Sequence, residues 1–138
     1  MIRLIWYYEG NERSLDATGI QLDNAYLKRA DLKQVWMPQS SLRKADLSET
    51  DLSEAKLSGA DLSKADLSMA DLSNAKLSGA KLSGANPENA LSLKDTNLQG
   101  ASGLTKEQLE ACRAKGAIVD EDYTNSSYVP SVEDMTLQ

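Results

Sequence analysis

The chain has 138 residues, a formal net charge of −6 and no histidine, and only 5% of its residues are aromatic. A compact globule of this size usually fills its core with several large rings, so we expect thin layers of leucine and alanine instead. The negative charge argues against direct nucleic-acid binding, which needs a basic surface. A single cysteine excludes an internal disulfide and a cysteine-rich zinc site.

Residues 1–19 are predicted to form an N-terminal strand that covers the start of the following repeat. In MIRLIW, the large apolar residues Ile2, Leu4 and Trp6 alternate with Arg3 and Ile5, and the later pair GN at 10–11 suggests a turn. The opening apolar run is too short for a signal peptide, and no later stretch approaches a membrane span. We therefore expect a cytoplasmic protein that does not bind membranes.

Residues 20–103 repeat with a period of five. From Ala45 the chain reads ADLSE TDLSE AKLSG ADLSK ADLSM ADLSN AKLSG AKLSG, with leucine at the centre of every unit. In a helix, successive leucines would lie about 140° apart, so no apolar face would form. In a plain strand they would alternate between the two faces, because five is odd. Three extended residues followed by a two-residue corner keep alanine and leucine inward in every unit, which predicts stacked coils about 4.8 Å apart.

These units resemble the A(D/N)LXX consensus of the pentapeptide-repeat family. The resemblance covers residues 20–103 and implies an all-β fold, a right-handed quadrilateral β-helix of about four coils. Four sides of five residues make a coil of twenty, so every inward residue then lies on its counterpart twenty positions later.

The repeat weakens after Ala85. Pro87 takes a central position, where it cannot donate to a ladder, and this indicates an edge coil with nothing stacked beyond it. One extra residue follows between Ala90 and Thr96, after which the pattern resumes.

Residues 104–119 are predicted to be a C-terminal helical cap. Thr105 and Gln108 form a T-x-x-Q capping box, and Gly116 is a natural stop, so we predict a helix over 106–115. Its Leu109 and Cys112 side should cover the last coil, with Cys112 a buried small apolar residue rather than a reactive thiol. Residues 120–138 form an acidic tail that is predicted to be flexible.

The candidate interaction surface consists of outward residues. Stacked aspartates could present an acidic stripe to a partner, although Asp is also the consensus outward residue and residues 20–103 hold eleven acids against ten bases. Tyr26 and Trp36 replace the usual Asp, Asn or Lys in the first coil, either beneath an N-terminal cap or as a binding patch. The four predicted sides present Asp31, Asp51, Asp71 and Leu91; Tyr26, Asp46, Asp66 and Asn86; Trp36, Lys56, Lys76 and Asn97; and Gln21, Ser41, Asp61 and Lys81.

The sequence contains no recognisable catalytic, cofactor or metal motif, so we do not expect an enzyme. The serines that follow each central leucine are expected to hydrogen-bond their own corners rather than to form an ice-binding array. The leading hypothesis is a monomeric scaffold that binds an unknown protein. Alternatives are a DNA mimic that modulates an enzyme such as gyrase, as the family resemblance suggests, and an inert structural spacer.

Overall fold

The structure is a computed structural model that describes residues 5–9 and 12–121. It contains an antiparallel hairpin of strands β1 (Ile5–Glu9) and β2 (Glu12–Asp16), a short 3-10 helix (Pro87–Asn89) and one α-helix, α1 (Lys106–Ala114). The predicted single N-terminal strand is therefore a pair of strands. The predicted turn at 10–11, residues 1–4 and residues 122–138 of the predicted flexible tail lie outside the described residues.

Between the hairpin and α1 the chain is built from five-residue units. In the unit that starts at Thr50, the amide of Ala55 donates to the carbonyl of Leu52 across the corner at 3.0 Å. The second corner residue, Glu54, has a φ of 59°, and most units repeat this left-handed conformation. The corner is a β-turn, which redirects the chain after every three extended residues.

Successive coils are joined by parallel bridges. Asp46 bridges Asp66 twenty residues later, where the amide of Asp66 donates to the carbonyl of Ala45 and the amide of Leu47 donates to the carbonyl of Asp66, both at 2.9 Å. The bridges occur one residue at a time because each side has only three extended residues before the next corner. The twenty-residue spacing of the bridges means that each coil has four sides.

The core is a stack of inward alanines and leucines. Central leucines from Leu42 to Leu82 are at most 1% exposed, as expected when each is sandwiched between counterparts above and below. The first coil is less buried, and its central residues Leu22, Leu27 and Leu32 are only partly covered.

The parallel pairing extends past the predicted range of 20–103 at both ends. At the start, Asp16 bridges Trp36, and the amide of Ala17 donates to the carbonyl of Trp36. At the end, Ile118 bridges Asn97, so the chain returns to the sheet after α1. The extra residue predicted after Ala90 is accommodated at 91–92.

One predicted outward residue is displaced by this insertion. Asp71 bridges Ser92 rather than Leu91, and the amide of Leu72 donates to the carbonyl of Ser92. The amide of Leu91 still donates to the carbonyl of Ala70 at 2.9 Å, but the Leu91 side chain is 60% exposed. The third aspartate of that column is therefore followed by a serine, because the added residue shifts the register by one.

Helix α1 begins with the predicted capping box. The hydroxyl of Thr105 accepts from the amide of Gln108, whose side chain accepts from the amide of Thr105. The helix ends at Ala114, one residue before the predicted end, and Gly116 follows with a φ of 98° that favours glycine.

Helix α1 packs against the 3-10 helix. Leu109 and Cys112 face the core and are buried, and the Gln108 amide nitrogen lies 3.2 Å from the carboxylate of Glu88. The prediction that nothing stacks beyond Pro87 is therefore wrong. Pro87 is buried, and α1 packs against the 3-10 helix that contains it. An α-helix can take this place because Pro87 removes the amide that a parallel ladder would need.

Candidate interaction surface

The middle residue of each unit points outward and defines four columns. We name the sides in chain order, so that A and C are opposite, as are B and D. Side A presents Gln21, Ser41, Asp61, Lys81 and Ser102; side B presents Tyr26, Asp46 and Asp66; side C presents Asp31, Asp51, Asp71 and Ser92; side D presents Asp16, Trp36, Lys56, Lys76, Asn97 and Ile118.

The outward aspartates take part in the corners. The Asp46 carboxylate accepts from the amide of Ser48 at 3.0 Å and from its hydroxyl at 2.5 Å. Asp51 and Ser53 repeat the arrangement, with an amide distance of 3.0 Å. The same amide and hydroxyl donors serve Asp61, Asp66 and Asp71. The serines therefore hydrogen-bond within their own units, and the aspartates have a structural role in the turns.

For two of these aspartates, Asp46 and Asp61, the contacts favour the ionised carboxylate. The hydrogen bonds from Ser48 lower the pKa of Asp46, against a smaller opposing effect of desolvation. For Asp61, desolvation is the largest effect and acts to raise the pKa, but the contacts of Ser63 and the charge of Lys81 outweigh it, so the pKa is lowered. A carboxylate that receives several hydrogen bonds favours its charged form.

Sides B and C and their corners form an acidic band. In the second and third coils, residues 45–54 and 65–74 contain six acidic residues and neither lysine nor arginine. The first coil partly neutralises one edge of this band, because Glu49 lies 2.9 Å from Arg29 and 3.7 Å from Lys28. All five candidate aspartates lie on these two adjacent sides, Asp31 in the first coil and the others in the band.

Sides D and A and their corners carry the opposite charge. Residues 35–44, 55–64 and 75–84 contain six basic residues and one acidic residue. Arg43 pairs with Asp23 at 3.0 Å, whereas no ion pair involves the lysines at 44, 56, 64, 76 or 81 within residues 16–121. The near-neutral sum of residues 20–103 hides this separation, which becomes visible only when charges are sorted by side.

The two candidate aromatic residues lie on opposite sides of the first coil. Tyr26 is on side B, in line with Asp46, and is 77% exposed. Trp36 is on side D, in line with Lys56, and is 45% exposed. The structure therefore does not join Tyr26 and Trp36 in one patch: Tyr26 begins the described column of side B, whereas Trp36 lies between Asp16 and Lys56 on side D.

Most inward residues of the described coils are buried, and a surface groove is lined by polar side chains. The groove beside the corner of side A has a volume of about 430 Å³ and is lined by charged side chains that include Asp23, Arg43 and Lys64. Within residues 16–121, no cluster of acidic or cysteine side chains is arranged to hold a metal ion. No described helix is long and apolar enough to cross a membrane. Cys112 is buried, and desolvation raises its pKa to about 12.

Comparisons with known proteins identify the repeat. A model of the family described as pentapeptide repeats matches residues 39–68 and 70–102 in eight copies. The chain is similar to HetL, a pentapeptide repeat protein involved in heterocyst differentiation regulation in the cyanobacterium Nostoc sp. strain PCC 7120. The identity is 39%, over 67% of this chain and 38% of HetL, with a TM-score of 0.49.

Two further cyanobacterial structures are similar. Rfr23 from Cyanothece 51142 is 29% identical over 82% of this chain and 64% of its own, with a TM-score of 0.48. Another pentapeptide repeat protein from Nostoc is 32% identical over 72% of this chain and 84% of its own, with a TM-score of 0.34. The chain thus spans less than two thirds of HetL and of Rfr23. No protein of curated function matches it.

Proposed function

Because the chain belongs to the pentapeptide-repeat family, whose members form right-handed β-helices, we propose that it is a non-enzymatic scaffold that binds another protein. The proposal includes a solenoid of about four coils that α1 closes at its C-terminal end. The buried Leu109 and Cys112 and the contact between Gln108 and Glu88 support this role of the helix. A closed end leaves the outer sides of the coils for binding.

The observation that carries the proposal is the acidic band on sides B and C. It combines six acidic residues over two coils with a flat surface whose backbone is fixed by the ladder. Clustered charge of one sign attracts a partner of the opposite sign and accelerates its association. We therefore propose a protein partner with a basic surface that contacts the column of Asp51 and Asp71 and the column of Asp46 and Asp66.

The test removes charge without removing the corner contacts. Asparagine retains the acceptor oxygen, and Asn97 already uses it to accept from the amide of Gln99 at 2.9 Å. The quadruple Asn variant of Asp46, Asp51, Asp66 and Asp71 should therefore fold normally. In affinity capture from a host lysate, wild type should retain a specific protein that this variant loses.

A matched control changes the opposite side. Lys56→Gln with Lys76→Gln removes two charges from side D and should leave the captured protein in place. Equal retention by wild type and the quadruple variant would refute the acidic band as the binding surface. If wild type retains no specific protein, the scaffold proposal fails and the chain behaves as an inert spacer.

A DNA mimic that acts on an enzyme such as gyrase is the second candidate. The acidic band favours it, because two adjacent columns of carboxylates carry negative charge along a narrow rod. Inhibition of DNA supercoiling by wild type, lost in the quadruple asparagine variant, would support this role. An unchanged supercoiling rate at micromolar protein would exclude it.

A further inference from the structure

Opposite sides of the solenoid carry matching columns. On side B, bridges connect Tyr26 to Asp46 and Asp46 to Asp66. On side D, bridges connect Trp36 to Lys56 and Lys56 to Lys76. Each step of both ladders is twenty residues, so the aromatic residues share one coil and the charged residues occupy the next two.

The side chains of both columns are accessible. Tyr26, Trp36, Asp66 and Lys76 are exposed, and Asp46 and Lys56 are partly exposed. The Lys56 ammonium donates to the carbonyl of Glu54 at 3.1 Å. Within residues 16–121, these two lysines and two aspartates form no ion pair.

We propose that the occupant of side D is side B of a second copy of this chain, aligned parallel to the first. Because the two sides are opposite, a sideways translation brings them face to face without rotation. Tyr26 of one copy then faces Trp36 of the other, and the two aspartates face the two lysines. The layer spacing of the two columns matches because both have the same stacking distance of about 4.8 Å. The columns lie half a coil apart, so the translation includes a shift of about half that distance along the axis.

Other arrangements of two copies lose this match. A two-fold axis parallel to the solenoid that pairs side B with itself places Asp46 and Asp66 against the same aspartates of the second copy, and a perpendicular axis at the level of Asp46 places Asp46 against Asp46. An antiparallel pairing of sides B and D places Tyr26 opposite Lys76. The favoured contact is therefore heterologous, and a translation repeats without closing, so it predicts open rows of solenoids rather than a dimer.

The contact is small and therefore weak. Three layers about 4.8 Å apart and three extended residues per layer form a surface of a few hundred Å² at most. A stable interface buries about 800 Å² on each partner. Association should consequently depend on protein concentration and salt, and the chain should be monomeric in dilute solution at high ionic strength.

Two variants test the proposal, each of which reverses the charge of one column; we call them the exchanged variants. Lys56→Asp with Lys76→Asp makes both sides acidic, and Asp46→Lys with Asp66→Lys makes both basic. Both changes create unit sequences that this chain already contains, ADLS and AKLS, so both variants should fold. Thermal unfolding followed by circular dichroism verifies folding before association is measured.

Sedimentation and light scattering of the purified chain measure the association. At about 10 mM salt, where the Debye length is about 30 Å, the mean mass of wild type should rise with protein concentration. Either exchanged variant alone should stay monomeric, whereas an equimolar mixture of the two should regain the mass increase. At about 1 M salt, where the Debye length is about 3 Å, the increase should disappear.

Three outcomes would overturn the proposal. They are a wild-type mass that is constant at low salt, association of an exchanged variant by itself, and no association in the mixture. If a variant unfolds, Lys56→Gln with Lys76→Gln serves instead and should weaken association of the otherwise natural chain. Only purified chain is used, so the result is independent of whether a host partner of the acidic band exists.

Discussion

Ser40 and Thr50 occupy the same inward position of their units, where most other units have alanine. Both are buried, with 2% and 1% exposure. The Thr50 hydroxyl donates to the carbonyl of Leu27 at 2.9 Å, whereas the Ser40 hydroxyl has no hydrogen-bond partner among the residues that the structure describes. Replacing each by alanine should therefore change stability in opposite directions.

The magnitudes follow from the two environments. An unsatisfied buried hydroxyl costs about 1–3 kcal/mol, so Ser40→Ala should raise the free energy of unfolding by about 1 kcal/mol. Alanine fits at position 40 because Ala60 and Ala80, one and two coils further along that side, are both fully buried. Thr50→Ala loses a hydrogen bond of about 1 kcal/mol and a buried methyl of about 0.8 kcal/mol, so it should lower stability by about 2 kcal/mol.

Equilibrium unfolding in urea measures both variants against wild type. The slope of free energy against urea should be the same for all three proteins, so that a shift of the midpoint reports stability alone. A drop in stability for Ser40→Ala, of the size seen for Thr50→Ala, would refute the reasoning. It would show that the Ser40 hydroxyl is satisfied in solution.

Three further predictions concern the core, the corners and the cysteine. Leu62→Ala removes a fully buried side chain and should cost about 2–5 kcal/mol, whereas Leu22→Ala in the half-covered first coil should cost less in the same urea assay. Acid should destabilise the fold as pH falls through and below about 4, because the pKa of Asp46 is lower in the folded than in the unfolded chain. The resulting stabilisation is present above the unfolded pKa and is lost as pH falls through the folded pKa. Asp46→Asn should flatten that pH profile of stability, and an unchanged profile would contradict the assignment. Cys112 is buried with a pKa raised to about 12, so it should resist a thiol reagent at neutral pH and react fully in denaturant; rapid reaction of the native protein would contradict its burial.

The inward columns could be predicted from the sequence because they depend on local periodicity. A five-residue unit with two inward positions specifies which leucines are buried, and those from Leu42 to Leu82 are buried as expected. The start of α1 was predictable for the same reason, since the capping box of Thr105 and Gln108 is a contact between residues three apart. Both features need no knowledge of distant parts of the chain.

The ends of the ladder depend on distant contacts and could not be predicted from local sequence, whereas the charge separation follows from the predicted sides once the outward residues are sorted by side. Asp16 lies in no recognisable unit, and only its bridge to Trp36 shows that the ladder includes it. Ile118 follows a helix, so its return to the sheet beside Asn97 leaves no local pattern. The opposite charges of the two halves cancel in any sum along the chain, because neighbouring units belong to different sides.

The choice between aspartate and lysine at outward positions is not dictated by the corner. Units with Lys56 and Lys76 keep the serine that elsewhere donates to aspartate, and there the Ser58 and Ser78 hydroxyls lie 3.1 Å apart instead. Both kinds of unit close the same turn, so the fold accepts either charge. Stacked like charges about 4.8 Å apart repel one another, which gives the fold no reason to segregate them by side. A segregation that the fold neither needs nor favours is best explained by contacts made outside the chain, which is why the sides, rather than the interior, carry the functional proposals.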